Sequence, residues 1–447
     1  MVFQGCAGPA LVFAAVELKG PWNPMSHPVS RRDFTLGLAA GAAVTGLAGT
    51  SYAADEPKIV PVPPPPPKVV SKTVCFVGGY TKHAPQGGAG NGQGIAVFEM
   101  DRESGVLTPI TTYTDIASPS FITLSADNRF LYALSEIDDY NKDGDGSVTA
   151  FAVDQKTGSL RKLNSVSSGG AVPAHLSVHH SGRYVLVANY VGGCVGVLPI
   201  RSDGSLGDAT DVVHNSGPRQ PERAADNPQG NFAVSDHSGS HPHMIRSDPS
   251  GRFVIADDAG LDRVYVWTLN LTTGKLIPAK TPYYDMEPGS APRHFEFNHS
   301  GRIMYNLCEQ NSKIVVSSFD PLTGAITNIQ TVSTVTPHFR GSTLAAEILI
   351  SASGKYVYAS NRLGDSLAVF AIAADGTLSL QDEVWMHADY GRAMMFDPSG
   401  TFLFCANQRS DAVTSFKVDK NTGQLAFTEN FTPVGSPTTF AFMNTQV

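Results

Sequence analysis

Charge is scarce in this chain: of 447 residues only 16% are Asp, Glu, Lys or Arg, and the formal net charge is -8. So thin and mildly acidic a distribution gives no reason to expect a nucleic-acid partner. Cysteines are few as well. Cys75, Cys194, Cys308 and Cys405 fall in separate strand-like runs with no Cys-x-x-Cys spacing, which favours buried thiols over bridges. The histidines lack paired ligand spacing, so the sequence requires no metal, and nothing in it calls for a cofactor. A Gly-x-Ser-x-Gly elbow is missing, which removes the usual serine nucleophile of α/β hydrolases. Helical periodicity is nearly absent after residue 70, and no apolar run there is long enough to span a bilayer.

What is abundant is turn chemistry. Glycine (43) and proline (30) are spread along the chain, as expected of many short strands joined by tight turns. One phrase recurs seven times: an aromatic or aliphatic residue, a polar stretch, then Gly followed two residues on by Leu or Ile. Its glycines are Gly105, Gly158, Gly204, Gly274, Gly324, Gly376 and Gly423, about 50 residues apart save one longer gap. Each unit also carries a Ser-Gly-Arg-type turn before an apolar strand, as in Ser250-Gly-Arg252-Phe and Ser399-Gly-Thr401-Phe. Four antiparallel strands per unit and seven units predict an all-β, seven-bladed β-propeller. Val74–Tyr80 lacks a preceding strand and Ser436–Phe442 lacks following ones, so the two ends are expected to close the ring in one shared blade.

The first 72 residues have a different composition. Ser30-Arg31-Arg32-Asp33-Phe34 precedes a mild apolar run, Leu36–Leu47, and Ser51-Tyr52-Ala53 offers small residues for signal peptidase. Residues 1–53 are therefore expected to be an N-terminal extension and twin-arginine signal, with the natural start at Met25. Residues 54–72 form a proline-rich linker, and 73–447 the propeller. This predicts engagement of the twin-arginine export machinery, a periplasmic or extracellular location, and no membrane attachment after cleavage.

Register within the repeat locates a site. Counting back nine from each turn residue marks the start of the innermost strand: Ser120, Ala174, His243, Arg293, Ala346, Arg392 and the equivalent Thr438. Counting forward seven marks the end of the second strand: Glu136, Tyr190, Ala259, Glu309, Arg362, Gln408 and the equivalent Tyr80. In antiparallel neighbours these positions share one end of the blade, so basic and acidic groups converge on one channel mouth. Three arginines and a histidine make an anion site, and a carboxylate beside them can activate water for attack on an ester-like bond. Glu309, His243 and Arg293 are the catalytic candidates. Arg362, Arg392, Glu136, Gln408 and His241 are assigned to substrate. His175 and His294 lie one residue further along, where the two-residue period turns them away from the channel.

At these positions the chain resembles the seven-bladed lactonase family, which includes propeller-type 6-phosphogluconolactonases and carboxy-cis,cis-muconate cyclases. The carrying motifs are Gly217-Pro-Arg-Gln220, His241-Pro-His243, Asp257–Val264, Ala291-Pro-Arg-His294, Cys308-Glu309-Gln-Asn311 and Ser360-Asn-Arg362. The resemblance implies hydrolysis of a lactone, with the family's channel cluster falling on His243, Arg293, Glu309 and Arg362. It leaves open a cyclase that forms a lactone from an unsaturated dicarboxylic acid, and a non-catalytic propeller that binds a ligand or protein. An exported protein fits a sugar or organic-acid lactone better than a phosphorylated one. Three stretches depart from the regular repeat, the first being the Gly-rich His83–Gly94 insertion. Asp139–Asp145 matches half a calcium-binding loop but has Ala150 where the bidentate Glu belongs. His214–Ser240 is long enough to form a lid or rim over the mouth.

Overall fold

The computed structural model describes residues 71–82 and 90–446. The expected signal, the linker up to residue 70 and most of the Gly-rich insertion at 83–94 lie outside the described residues. Within them the chain forms seven four-stranded antiparallel sheets, each ordered from the inside outward. The innermost strands are Pro437–Asn444, Ile122–Leu124, Pro173–Val178, Pro242–Ser247, Pro292–Phe297, Leu344–Ile350 and Gly391–Phe396, taken here as blades 1 to 7. In blade 1 the C-terminal strand pairs with Thr73–Gly79, with Val77 opposite Phe440, so the two chain ends close the ring as the sequence predicts.

The repeated glycines have a physical reason. All seven have positive φ, between 69° and 88°, and each sits against the start of the second strand of the preceding blade. A Cβ on Gly423 would come 2.4 Å from Tyr356, one on Gly105 2.7 Å from Phe402, and one on Gly158 2.7 Å from Val74. Only a residue without a side chain takes this backbone conformation and lets the neighbouring blade approach so closely. Tyrosines two residues along the second strands tie the same joint: Tyr132, Tyr305 and Tyr358 donate their hydroxyls to the carbonyls of Gly204, Gly376 and Gly423.

The hydrophobic core is accordingly divided into layers between blades. Val254, Tyr265 and Trp267 of blade 4 pack on Leu186 and Val195 of blade 3, while Phe253 and Val264 on the other face of blade 4 pack on Phe295 and Met304 of blade 5. The middle two strands of each blade are covered on both faces, which is why the sequence shows short continuous apolar runs, whereas the outermost, such as Leu107–Tyr113 and Ile326–Ser333, are largely exposed. Cys75, Cys194, Cys308 and Cys405 are buried free thiols in these layers.

A bulge at the mouth end of the inner strands positions the site. The ladder skips Ala174, His243, Arg293, Arg392 and Thr438, and in blade 6 skips both Ala346 and Glu347. All but Glu347 are among the residues marked as inner-strand starts in the sequence. A bulged residue leaves the ladder and its side chain is re-aimed, here toward the propeller axis.

Candidate active site at the channel mouth

The bulged residues meet around the axis. Ser120, Ala174, His243, Arg293, Arg392 and Thr438 line one small central cavity together with Phe121, His294 and Glu347. Its volume is about 10 Å³, the scale of a single water, so side chains fill the channel just below the mouth. The expectation that period two turns His294 away from the channel is overturned. The bulge at Arg293 breaks the alternation, and both consecutive side chains reach the axis. His175 keeps a packing role: it accepts a hydrogen bond from Ile245 N of the next blade and its ring lies 4.2 Å from that of Phe121.

Glu309 is the hub of the mouth. It follows the second strand of blade 5, Ile303–Cys308, and its backbone bonds to Ala291 and Ala345 on either side. Its Oε2 lies 2.6 Å from Arg362 Nη2 and 2.9 Å from Arg293 Nε. The first contact is an aligned hydrogen bond; the second is an ion contact without that alignment. Ser235 Oγ donates to Oε1 at 2.9 Å. Burial raises the carboxyl, but the two guanidiniums and the Ser235 bond outweigh it and bring its pKa down to about 2. Glu309 is thus a fixed negative charge at neutral pH. Arg293, 1% exposed, also donates to the Ala346 carbonyl. Burial and the neighbouring Arg362 and Arg392 lower it to about 9, so it keeps its charge. Arg362 is held further by the carbonyls of Leu344 and Ala345 and lies over the ring of Tyr390.

Arg392 is the loosely held cation. Its one ion contact among the described residues is Glu136 Oε2, at 3.9 Å. Glu136 is committed elsewhere, accepting from Tyr80 OH at 2.9 Å and from Ser120 Oγ at 2.5 Å. Arg392 can therefore turn to an incoming anion at little cost. His243 is buried, and burial together with Arg293, His294, Arg392 and Arg362 depresses its pKa well below the ordinary value, so it is neutral at physiological pH. Its Nδ1 is buried without a hydrogen-bond partner.

The remaining predicted residues sit on the rim. His241 stacks on Tyr190 at 4.7 Å and its Nδ1 bonds the Tyr190 carbonyl; Tyr190 in turn meets His243 edge-on. Gln408, 5% exposed, donates its backbone N–H to the Tyr390 carbonyl. The acidic loop closes on itself: Asn141 accepts from the backbone N–H of Asp143 and Asp145, and Ala150 lies buried within the strand Ser147–Val153. No group of three or more potential metal ligands occurs among the described residues.

The 215–241 segment runs along the mouth, pinned by side chains. Asn231 donates to the carbonyls of Gln310 and Thr343, Gln310 donates to Ala233 and accepts from Ser235 N, and His237 Nε2 lies 3.3 Å from Asp262. Ser235 and Tyr390 are site residues that sequence reasoning missed. Ser235 lies in no repeat position, so no periodic signal marks it; Tyr390 stands two residues before Arg392, as His241 stands before His243, and extending the count by two would have found it.

Comparison with known proteins places the fold. Residues 74–442 match the family model described as "Lactonase, 7-bladed beta-propeller". The 6-phosphogluconolactonase of Bacillus subtilis is 28% identical over 376 residues, covering 84% of this chain and 99% of that protein. The 6-phosphogluconolactonase of Formosa agariphila is 28% identical over 78% of this chain and 94% of its own length. Among solved structures, the periplasmic gluconolactonase of Pseudomonas aeruginosa superposes with a TM-score of 0.74 at 28% identity, covering 84% of this chain and all of that one. The chain belongs to the family of seven-bladed β-propeller lactonases.

Proposed function

We propose that this protein hydrolyses a sugar or organic-acid lactone at the channel mouth, outside the cytoplasm. The observation that carries the reading is the convergence of Arg293, Arg362 and Arg392 with Glu309 and His243 on one entrance. The gluconolactonase and 6-phosphogluconolactonase relatives support the substrate class. The Arg31-Arg32 pair and the apolar run behind it support export through the twin-arginine route, with residues 1–53 as leader and 54–72 as linker to the 73–447 domain.

In the reaction, Arg392 takes the substrate's polar or anionic substituent while Arg293 and Arg362 face the lactone carbonyl, stabilising the oxyanion as water adds to carbon. Glu309 holds and polarises that water. A carboxylate with a pKa of about 2 accepts a full proton poorly, so the proton passes to the neutral imidazole of His243. An imidazolium among three guanidiniums gives its proton up readily, and it goes to the ring oxygen as the C–O bond breaks. The product is the open hydroxy acid, whose carboxylate stays paired with the arginines until release.

The test is a panel of neutral, carboxylated and phosphorylated lactones, with and without calcium, on the wild type and on Arg293→Gln and Glu309→Gln. The reading expects ring opening of at least one lactone by the wild type and a loss of at least ~100-fold in both variants. Equal rates in variant and wild type, or no lactone opened by the wild type, overturn it.

A further inference from the structure

Beneath the mouth lies a second carboxylate–imidazole pair that the reaction scheme above does not use. Glu347 Oε1 is 2.8 Å from His294 Nδ1, across the interface between blades 5 and 6. The His294 side chain is buried and that of Glu347 is only 12% exposed, and both line the central cavity with His243. The His294 and His243 rings lie 5.1 Å apart at their centroids, and each ring carries a buried nitrogen, His294 Nε2 and His243 Nδ1, with no hydrogen-bond partner. Leaving two such atoms unpaired is costly, and the cavity beside them is of the size that lets one water join them.

We infer that Glu347 and His294 form a proton-relay pair that sets the protonation of His243, with Glu347 as its remote carboxylate. This rests on the lactone-opening reading for its consequence, though not for its chemistry. The bulge in blade 6 supports it: Ala346 and Glu347 together oppose Ser360, and the Glu347 N–H bonds Ser360 Oγ instead of continuing the ladder. The groups facing the pair come from several blades. Arg293 stands on the same strand as His294; the His175 ring of blade 3 lies 5.6 Å from that of His294; Arg246 is on blade 4, bonded twice to Glu296 of blade 5; Arg392 is on blade 7; Arg362 and Glu309 close the mouth above. Burial raises the Glu347 carboxyl to about 7, against the lowering pull of Arg293, Arg246 and Arg392. Glu347 therefore changes charge near neutral pH, where a proton-handling group is most useful.

The consequence has a definite sign. Ionised, Glu347 accepts the His294 Nδ1 proton, so that a proton taken up by His243 is passed from its Nδ1 through the bridging water to His294 Nε2 and no positive charge accumulates on either ring. Protonated, it does not. Lactonase activity is then expected to rise with pH through an acid limb centred near 7. Glu347→Gln, which keeps the bond to His294 but cannot ionise, is expected to lose that limb. Its kcat would be lowered about tenfold at pH 8 with KM within about twofold, because Glu347 acts through other groups. Glu347→Asp, still ionisable, is expected to keep a limb.

Two measurements test the pair. The first is the pH–rate profile of wild type, Glu347→Gln and Glu347→Asp on a lactone the wild type opens, corrected for uncatalysed opening, with thermal melts confirming that each variant is folded. The second, free of any activity, follows the His294 and His243 ring resonances by NMR against pH. The wild type should show both responding to a group near pH 7, and Glu347→Gln should show neither. An unchanged profile and titration in Glu347→Gln overturns the pair, as does reduced activity with the acid limb intact. A wild type that opens no lactone overturns the functional reading alone and leaves the NMR result to decide the pair.

Discussion

Arg362 Nη2 stands 2.6 Å from Glu309 Oε2, a buried guanidinium–carboxylate bond joining blades 5 and 6 at the mouth. The same oxygen also faces Arg293 Nε at 2.9 Å, so one carboxylate offsets two buried cations. Glu309→Gln removes that charge while keeping the shape. Losing one partner of a buried ion pair typically costs about 3–5 kcal/mol, and retained amide bonds reduce that here, so a loss of roughly 2–3 kcal/mol in stability is expected. Denaturant melts of the variant check it. A midpoint equal to the wild type would mean that solvent already screens the two guanidiniums.

Stability against pH should carry two opposite signatures from this cluster. Glu309 has a folded pKa lowered to about 2 against an unfolded value near 4.3, so its stabilisation is fully present above that value and lost as pH falls toward 2. Glu347 is raised to about 7, so its contribution is fully present below about 4.3 and lost as pH climbs to 7. Melting temperature measured from pH 3 to 8 is therefore expected to decline between about 4.5 and 7 in the wild type, and Glu347→Gln should flatten that decline. Parallel curves for the two proteins would show that Glu347 has an ordinary carboxyl.

The part of the site that repeats was the part legible in the sequence. Glycine spacing exposed the blades because every inter-blade joint demands a residue without a side chain, and the turns fixed the register to the residue. Counting nine back reached His243, Arg293 and Arg392 because each sits at the same bulge in its own blade. The bulge itself has no signature in the sequence, so strict alternation misplaced His294. Ser235 was illegible for another reason: it belongs to an irregular connection whose position is set by side-chain bonds such as Asn231 to Thr343, which no period records. Tyr390 was reachable, since it stands two residues before Arg392 as His241 stands before His243.

Arg392 should separate recognition from chemistry. Its weak 3.9 Å contact with Glu136 leaves it available to a substrate's charge, whereas Arg293 and Arg362 are tied to Glu309. Arg392→Ala is expected to raise KM about tenfold for a carboxylated or phosphorylated lactone, the scale of one charge-assisted hydrogen bond, and to leave a neutral lactone within about twofold. Steady-state kinetics on a matched pair of lactones decides. Equal loss on both substrates would move Arg392 from substrate recognition to the oxyanion.

The inter-blade glycines predict where the ring is most easily sprung. Gly423 combines φ of 75° with a Cβ position 2.4 Å from the Tyr356 ring, and Tyr358 donates its hydroxyl to the Gly423 carbonyl at 2.8 Å. Gly423→Ala must therefore adopt an unfavourable backbone conformation and push blade 6 away from blade 7. About 1–3 kcal/mol is expected from the backbone alone, with the clash added. Gly182, also at positive φ (67°) but with nothing within 4 Å of its Cβ position, provides the control, since Gly182→Ala carries the backbone cost without the clash. If the two variants melt at the same temperature, the close approach between blades contributes nothing beyond the turn, and the repeat glycine is conserved in this chain by conformation only.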